Sequence, residues 1–211
     1  RRSSMSQLQS YLSGTWVSGT GPGTALVNPM TDDTLATADS EGLDLGAALE
    51  HARTKGGSAL RSMTFAERGA ALKALSGAIH EHREALIDIG IANAGNTRGD
   101  AKFDIDGATG TLAAYAHFAK SLPEGRGFLS DGDTIQLSRS PHFQGQHVCV
   151  PRHGVAVHIN AFNFPAWGMM EKAACALLAG MPILEKPGTP TAMMAERIAH
   201  IIVESGILPE G

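Results

Sequence analysis

The sequence predicts an α/β fold that ends in a parallel βαβ unit, and three features predict it. Between Gly154 and Gly206 an apolar run, "GVAVHIN", is followed by a helix-like segment, a second apolar run, "MPILEK", and another helix-like segment. Strand, helix and strand of this size make a βαβ unit, whose strands run parallel because the connection crosses over between them. Upstream, Glu124 to Pro151 is broken by Gly and Ser and holds two short alternating pieces, "TIQLSRS" and "QHVCV", the texture of an extended hairpin arm. Before that, apolar residues recur at helical spacing from Leu43 to Leu122.

Taken in order, the first forty residues read as short strands and turns: "YLSGTWVSGTGPG" alternates and then breaks at its glycines, and "TALVNPMTDD" turns at Asn28–Pro29. Leu43, Leu45, Ala48, Leu49 and Ala52 form an apolar stripe that should end at the Gly56–Gly57 pair. Thr64-Phe-Ala-Glu67 is a capping box, in which the first and last side chains satisfy each other's free backbone N–H groups. It should open one long helix running towards Gly95, with Ala71, Leu72, Leu75, Ile79, Leu86 and Ile89 on its buried face. A third helix is expected over Ile105–Leu122, stopped by Pro123. In the βαβ unit the helices should cover Ala166–Gly180 and Thr191–Ser205, the second closed by Gly206. The organisation expected is therefore strands and helices over 1–123, the hairpin arm over 124–152, and a βαβ unit over 153–211.

Composition excludes several function classes. With 43% hydrophobic and 18% charged residues the chain is built to bury a core rather than to stay disordered. A net charge of −4, with no basic stretch interleaved with aromatics, argues against nucleic acid or an anionic membrane surface as partner. The longest apolar run, Ala173–Leu184, is interrupted by Gly180 and Pro182 and is too short to span a bilayer. "RRSSMSQLQS" has arginines without an apolar region behind them, so no secretion signal is expected; Met5 is a candidate natural start, with "RRSS" either an upstream extension or a cloning remnant. Cys149 in a strand-like stretch and Cys175 in an apolar helix suggest free thiols in a reducing cytoplasm.

A parallel sheet binds ligands beyond the carboxyl ends of its strands. Both strands of the βαβ unit carry polar residues there: Asn160 and Asn163 after the first, Lys186 and Thr189 after the second. Parallel strands bring all four to one edge, where a lysine can meet a phosphate and a helix N-terminus offers free N–H groups. On local sequence, Asn163 is equally well read as the cap of the following helix, and Lys186 as a solvated strand-end residue. Neither G-x-G-x-x-G nor G-x-x-x-x-G-K is present to identify a nucleotide. The spacing of His142, His147, His153 and His158 fits no metal motif, and His80 and His82 read as solvated. Cys175 within "KAACALLAG" is expected to be inert packing, and Met169, Met170, Met193 and Met194 core filler. Trp167 follows Asn163 closely enough to line a pocket.

The stretch "GVAVHINAFNFPAWGMMEKAACALLAGMPILEKPGTPTA" resembles the aldehyde dehydrogenase superfamily. The likeness lies in the Asn163-Phe164-Pro165 step after the first strand, the Ala179-Gly180 helix end and the Lys186-Pro187 strand end. "SGTWVSGTG", "SEGLDL", "ALRSMTFAERGAALKA" and "DIDGATGTL" extend it to the subgroup that oxidises ring-opened, coenzyme A-linked semialdehydes in phenylacetate and benzoyl-CoA breakdown. In one branch of that subgroup the domain is fused, in a bifunctional protein, to a hydratase-like domain. Most superfamily members have a tryptophan where this chain has Phe162, and that departure points to the same subgroup.

The resemblance implies that the Asn163 amide donates to the aldehyde oxygen as it becomes an alkoxide. It implies that Ile159, Asn160, Phe162, Lys186 and Thr189 form the wall for a nicotinamide cofactor, with Lys172 in support. It implies that the chain is the N-terminal part of an aldehyde dehydrogenase fold, with 153–211 the first βαβ portion of an incomplete Rossmann-like NAD(P)-binding sheet. It also implies a homo-oligomer assembled through the hairpin arm, and a nucleophilic cysteine and general-base glutamate downstream of Gly211. Many NAD-preferring members carry a glutamate where Thr189 stands, so NADP is the expected cofactor, with NAD possible. The competing expectation is a non-catalytic nucleotide-binding or oligomerisation module that has kept the fold.

Overall fold

The computed structural model describes residues 6–211. Residues 1–5, on which the expectation about Met5 falls, lie outside the described residues. β1 (Ser6–Gln7) runs parallel to β5 (Thr34–Ala38), which pairs antiparallel with β4 (Thr24–Val27), giving a sheet in the order β1-β5-β4. β2 (Ser10–Leu12) and β3 (Thr15–Val17) form a separate tight hairpin, in which Ser13 and Gly14 both take positive φ, as a two-residue hairpin turn demands. The turn expected at Asn28–Pro29 is present: Asn28 Oδ1 accepts from the N–H of Met30 at 2.9 Å. Leu8, Leu26 and Ala36 bury together against Ala192 as a small core.

The helical region follows the stripe predicted from Ala71 to Ile89 but not the predicted breaks, and in the first predicted stripe Ala48 and Ala52 are buried while Leu45 and Leu49 are exposed. Asp44 caps α1 (Leu45–His51) by accepting from the Ala47 N–H at 2.8 Å. The Gly56–Gly57 pair does not end the helical path. A π-helical turn over Ala52–Gly56 leads straight into α2 (Gly57–Ser62). Both glycines are buried: a Cβ on Gly56 would run into the Gly211 backbone, and one on Gly57 into the Arg61 side chain, so glycine here permits close packing within a continuing helix. The capping box opens α3 (Phe65–Glu81) as expected: Thr64 Oγ1 accepts from the Glu67 N–H at 3.2 Å, and Glu67 Oε2 from the Thr64 N–H at 2.7 Å. The single long helix expected here is two. The path resets at His82, and α4 (Arg83–Ala94) then turns Leu86, Ile87 and Gly90 towards the core, ending at Gly95 in the left-handed conformation.

The third helix begins well before Ile105. α5 (Arg98–Phe118) is capped by Thr97, whose hydroxyl accepts from the Asp100 N–H at 3.2 Å, and it ends in a 3₁₀ turn ahead of Pro123. Glycines at 99, 107 and 110 lower the intrinsic propensity of this stretch, but tertiary packing of its apolar face overrides them.

The βαβ unit is β8 (Ala156–Ile159), α6 (Trp167–Leu178), β9 (Ile183–Lys186) and α7 (Ala192–Ser205), closed by Gly206 in the left-handed conformation. β8 and β9 are parallel, with Ile159 opposite Lys186 and His158 opposite Glu185. α6 and α7 join α3, α4 and α5 in the main core, around Leu72, Ile79, Ile105, Leu112, Met170, Ala174, Met194 and Ile198. Arg68 is 1% exposed within it, spanning α3 to α6 by donating to the Leu60 carbonyl at 2.9 Å and the Leu178 carbonyl at 3.2 Å. Gly180 must be glycine here: its φ is +81°, and a Cβ would lie 2.9 Å from the Arg68 guanidinium carbon.

Cys175 is not core packing. Met169, Met170, Ala173, Ala174, Leu177 and Leu178 take the buried side of α6, which leaves Cys175 exposed, as Cys149 also is; both thiols are free. Between α5 and the βαβ unit, β6 (Leu129–Gln136) and β7 (Gln144–Cys149) form the predicted antiparallel arm. Ile135, Leu137, Phe143, Val148 and Val150 are all exposed along it. Among the described residues, no helix is long and apolar enough to cross a membrane.

Candidate functional site

The parallel pairing of β8 and β9 brings the four predicted residues to one edge. Past Ile159 the chain turns through Asn160, Phe162 and Asn163 into α6; past Lys186 it turns through Thr189 into α7. Two hydrogen bonds tie these turns together. The Asn160 N–H donates to the Lys186 carbonyl at 3.0 Å, and Thr191 Oγ1 donates to the Phe162 carbonyl at 2.7 Å.

Asn163 does not cap α6. The first free N–H groups of α6, on Ala166 and Trp167, are both taken by Asp104 of α5, at 3.1 Å to Oδ2 and 2.8 Å to Oδ1. Asn163 is exposed, and its amide makes no hydrogen bond among the described residues. The helix is capped from a distant helix, so the amide is left facing out from the edge.

The other predicted residues divide by face. Ile159 is 72% exposed and Phe162 61%, with Lys186 also exposed and without a carboxylate partner among the described residues. Thr189 is half-buried at the start of a 3₁₀ turn. Asn160, by contrast, is buried: its Oδ1 accepts from Lys172 Nζ at 2.6 Å, while its Nδ2 has no partner. Lys172 also donates to the Gly168 carbonyl at 2.7 Å, which ties the first turn of α6 to the strand end. An exposed apolar wall, an uncommitted ammonium and an orphaned amide donor just beneath them fit a ligand with flat and anionic parts.

Beside Asn163 stands an aromatic cluster that includes Trp167, as its position suggested. The Trp167 ring lies edge-on to Phe103 (5.3 Å between centroids) and to Phe164 (5.9 Å), and both phenylalanines are substantially exposed. Behind the edge, on the face covered by α6, His158 and Glu185 pair across the strands with Nδ1 and Oε2 3.6 Å apart, too far for a hydrogen bond. Burial pushes the Glu185 carboxyl up to about 7, with the Lys172 ammonium pulling the other way. Burial, reinforced by Lys172, pushes His158 down. Burial also raises Asp104, against the opposing pull of its two backbone hydrogen bonds.

Sequence reasoning missed Asp104. The signal was present, since Ala101, Asp104, Ile105 and Ala108 share one helical face and three of the four are apolar. A carboxylate in such a stripe must find donors across the core.

Comparison with known proteins places this edge in context. The profile of the "Aldehyde dehydrogenase family" matches residues 16–211. The chain is 49% identical over 97% of its length to a 3,4-dehydroadipyl-CoA semialdehyde dehydrogenase of Aromatoleum evansii, covering 40% of that protein. It is 30% identical over 95% of its length to a betaine aldehyde dehydrogenase of Vibrio vulnificus (strain CMCP6), covering 39% of it. Its fold is similar to the crystal structure of lactaldehyde dehydrogenase from Escherichia coli, with a TM-score of 0.83 at 24% identity, over 97% of this chain and 41% of that one. The chain thus spans about two fifths of the length of these relatives.

Proposed function

Because this chain belongs to the aldehyde dehydrogenase family, we propose that its strand-end edge is the oxyanion and cofactor half of an active site that oxidises a coenzyme A-linked semialdehyde to the acid. The observation that carries this reading is the outward-facing Asn163 amide, freed of any capping duty by Asp104. An aldehyde under nucleophilic attack develops negative charge on its oxygen. A fixed amide donor aimed at that oxygen stabilises the charge without reorganising at the moment of reaction. Phe103, Phe164 and Trp167 supply an apolar surface beside it for the carbon chain of the substrate.

A nicotinamide cofactor suits the rest of the edge and, when bound, supplies the hydride acceptor. Ile159 and Phe162 offer it an apolar wall, and Lys186 an uncommitted cation. Thr189 stands near that cation without a carboxylate to repel a 2′-phosphate, which favours NADP over NAD. Glu185 does not replace the missing carboxylate, since it lies on the opposite face beside His158. The 49% identity to a CoA-semialdehyde dehydrogenase supports the substrate class, in aromatic-acid breakdown.

The hairpin arm supports assembly into a homo-oligomer. A lone two-stranded arm with an exposed apolar row is marginal in water and gains from a partner surface. The two exposed free thiols favour a cytoplasmic setting. The test of the central reading is Asn163→Ala in the full-length enzyme. Loss of one oxyanion donor costs ~10²–10³ in kcat, with cofactor affinity little changed. A kcat within about threefold of the parent, well short of that penalty, leaves Asn163 without this role.

A further inference from the structure

We infer that Asp104, together with Gly107 and Thr111 on the same face of α5, is the positioning device that sets where the Asn163 amide sits. This rests on the oxyanion reading of Asn163. That side chain is exposed and makes no hydrogen bond of its own among the described residues, so only its backbone can fix it. The backbone is held on both sides. Upstream, Thr191 anchors the Phe162 carbonyl. Downstream, buried Pro165 has its φ locked by its ring, and the next two N–H groups end on the two oxygens of Asp104.

Three points on α5, one helical turn apart, make up the downstream anchor. Asp104 is 1% exposed and takes the Ala166 and Trp167 N–H groups. Gly107 lies flush against the Trp167 indole: a Cβ there would fall 2.4 Å from the ring, which only glycine avoids. Thr111 Oγ1 accepts from Trp167 Nε1 at 3.0 Å. A carboxylate rather than an amide is required at 104, because both of its oxygens face donors. An asparagine would turn an NH₂ group towards one of those N–H groups and lose that anchor.

The experiment is a double-mutant cycle on the full-length enzyme, pairing Asp104→Asn with Asn163→Ala and reading kcat, the aldehyde KM and the melting temperature. Misplacing a reacting group by about 1 Å costs ~10²-fold. Asp104→Asn alone should therefore lower kcat by roughly 10- to 100-fold while KM stays within about threefold. In the Asn163→Ala background the same change should cost kcat less than about threefold, because the group it positions is already gone. Equal losses in both backgrounds would show a general structural role and overturn the inference while leaving the Asn163 reading intact. An Asn163→Ala enzyme with parental kcat is a different result; it removes the oxyanion reading and this inference with it. Should Asp104→Asn not fold, Thr111→Val takes its place in the cycle. Thr111→Val removes the indole anchor and is read by the same two outcomes.

Discussion

Replacing Glu185 by glutamine should remove a pH-dependent weakness of the fold. Glu185 is paired with His158 across the strands, its side chain is 12% exposed, and neither carboxylate oxygen has a hydrogen-bond partner. Burial raises its pKa from 4.5 to about 7. The folded protein therefore holds a proton that the unfolded chain releases between those values. Its contribution to stability is greatest below pH 4.5, falls as pH rises towards 7, and stays low above it. At about 1.4 kcal/mol per pKa unit, the glutamine variant should gain on the order of 2–3 kcal/mol relative to the parent between pH 5 and pH 8. His158 works the other way, since its lowered pKa removes stability as pH falls below 6.5. That contribution is common to both proteins and largely cancels in the difference. The assay is urea unfolding of both proteins at pH 5, 6, 7 and 8 at constant ionic strength, compared at equal slopes. A difference that is flat across this range would refute the argument. A difference of opposite sign would mean that Glu185 is held as a carboxylate by a charged His158.

Two further outcomes follow from other parts of the structure. Thr64→Ala removes one side of the capping box of α3 and should lower unfolding free energy by about 1 kcal/mol, as substitutions of helix caps do; unchanged stability would mean that α3 does not depend on its cap. Thr189→Glu in the full-length enzyme should lower kcat/KM and binding affinity for NADP selectively. A like-charge contact near a surface is worth at most a few kcal/mol, so NADP should weaken by roughly tenfold or more while NAD is spared. Equal effects on both cofactors would remove Thr189 from the cofactor argument.

What the sequence determined by itself lies within short stretches of chain. The Thr64–Glu67 box, the Asn28–Pro29 turn, the Gly206 cap and the two strands of the βαβ unit each depend on residues within a turn or two of one another. Their patterns are therefore written consecutively. The edge carrying Asn163 and Lys186 was legible for a related reason: parallel strands place both carboxyl ends on one side whatever surrounds them. Other features were decided only by residues far apart in sequence. Whether Asn163 caps α6 depended on Asp104, some sixty residues away, reaching the Ala166 and Trp167 N–H groups first. The glycines at 56 and 57 read locally as a break, yet both are buried by residues distant in sequence, the Gly211 backbone among them, and the helical path runs through them. Asn160 turned inward because Lys172, one helix later, offers it an ammonium at 2.6 Å. A buried polar group must take whatever partner the fold brings to it, and that partner has no fixed spacing along the chain.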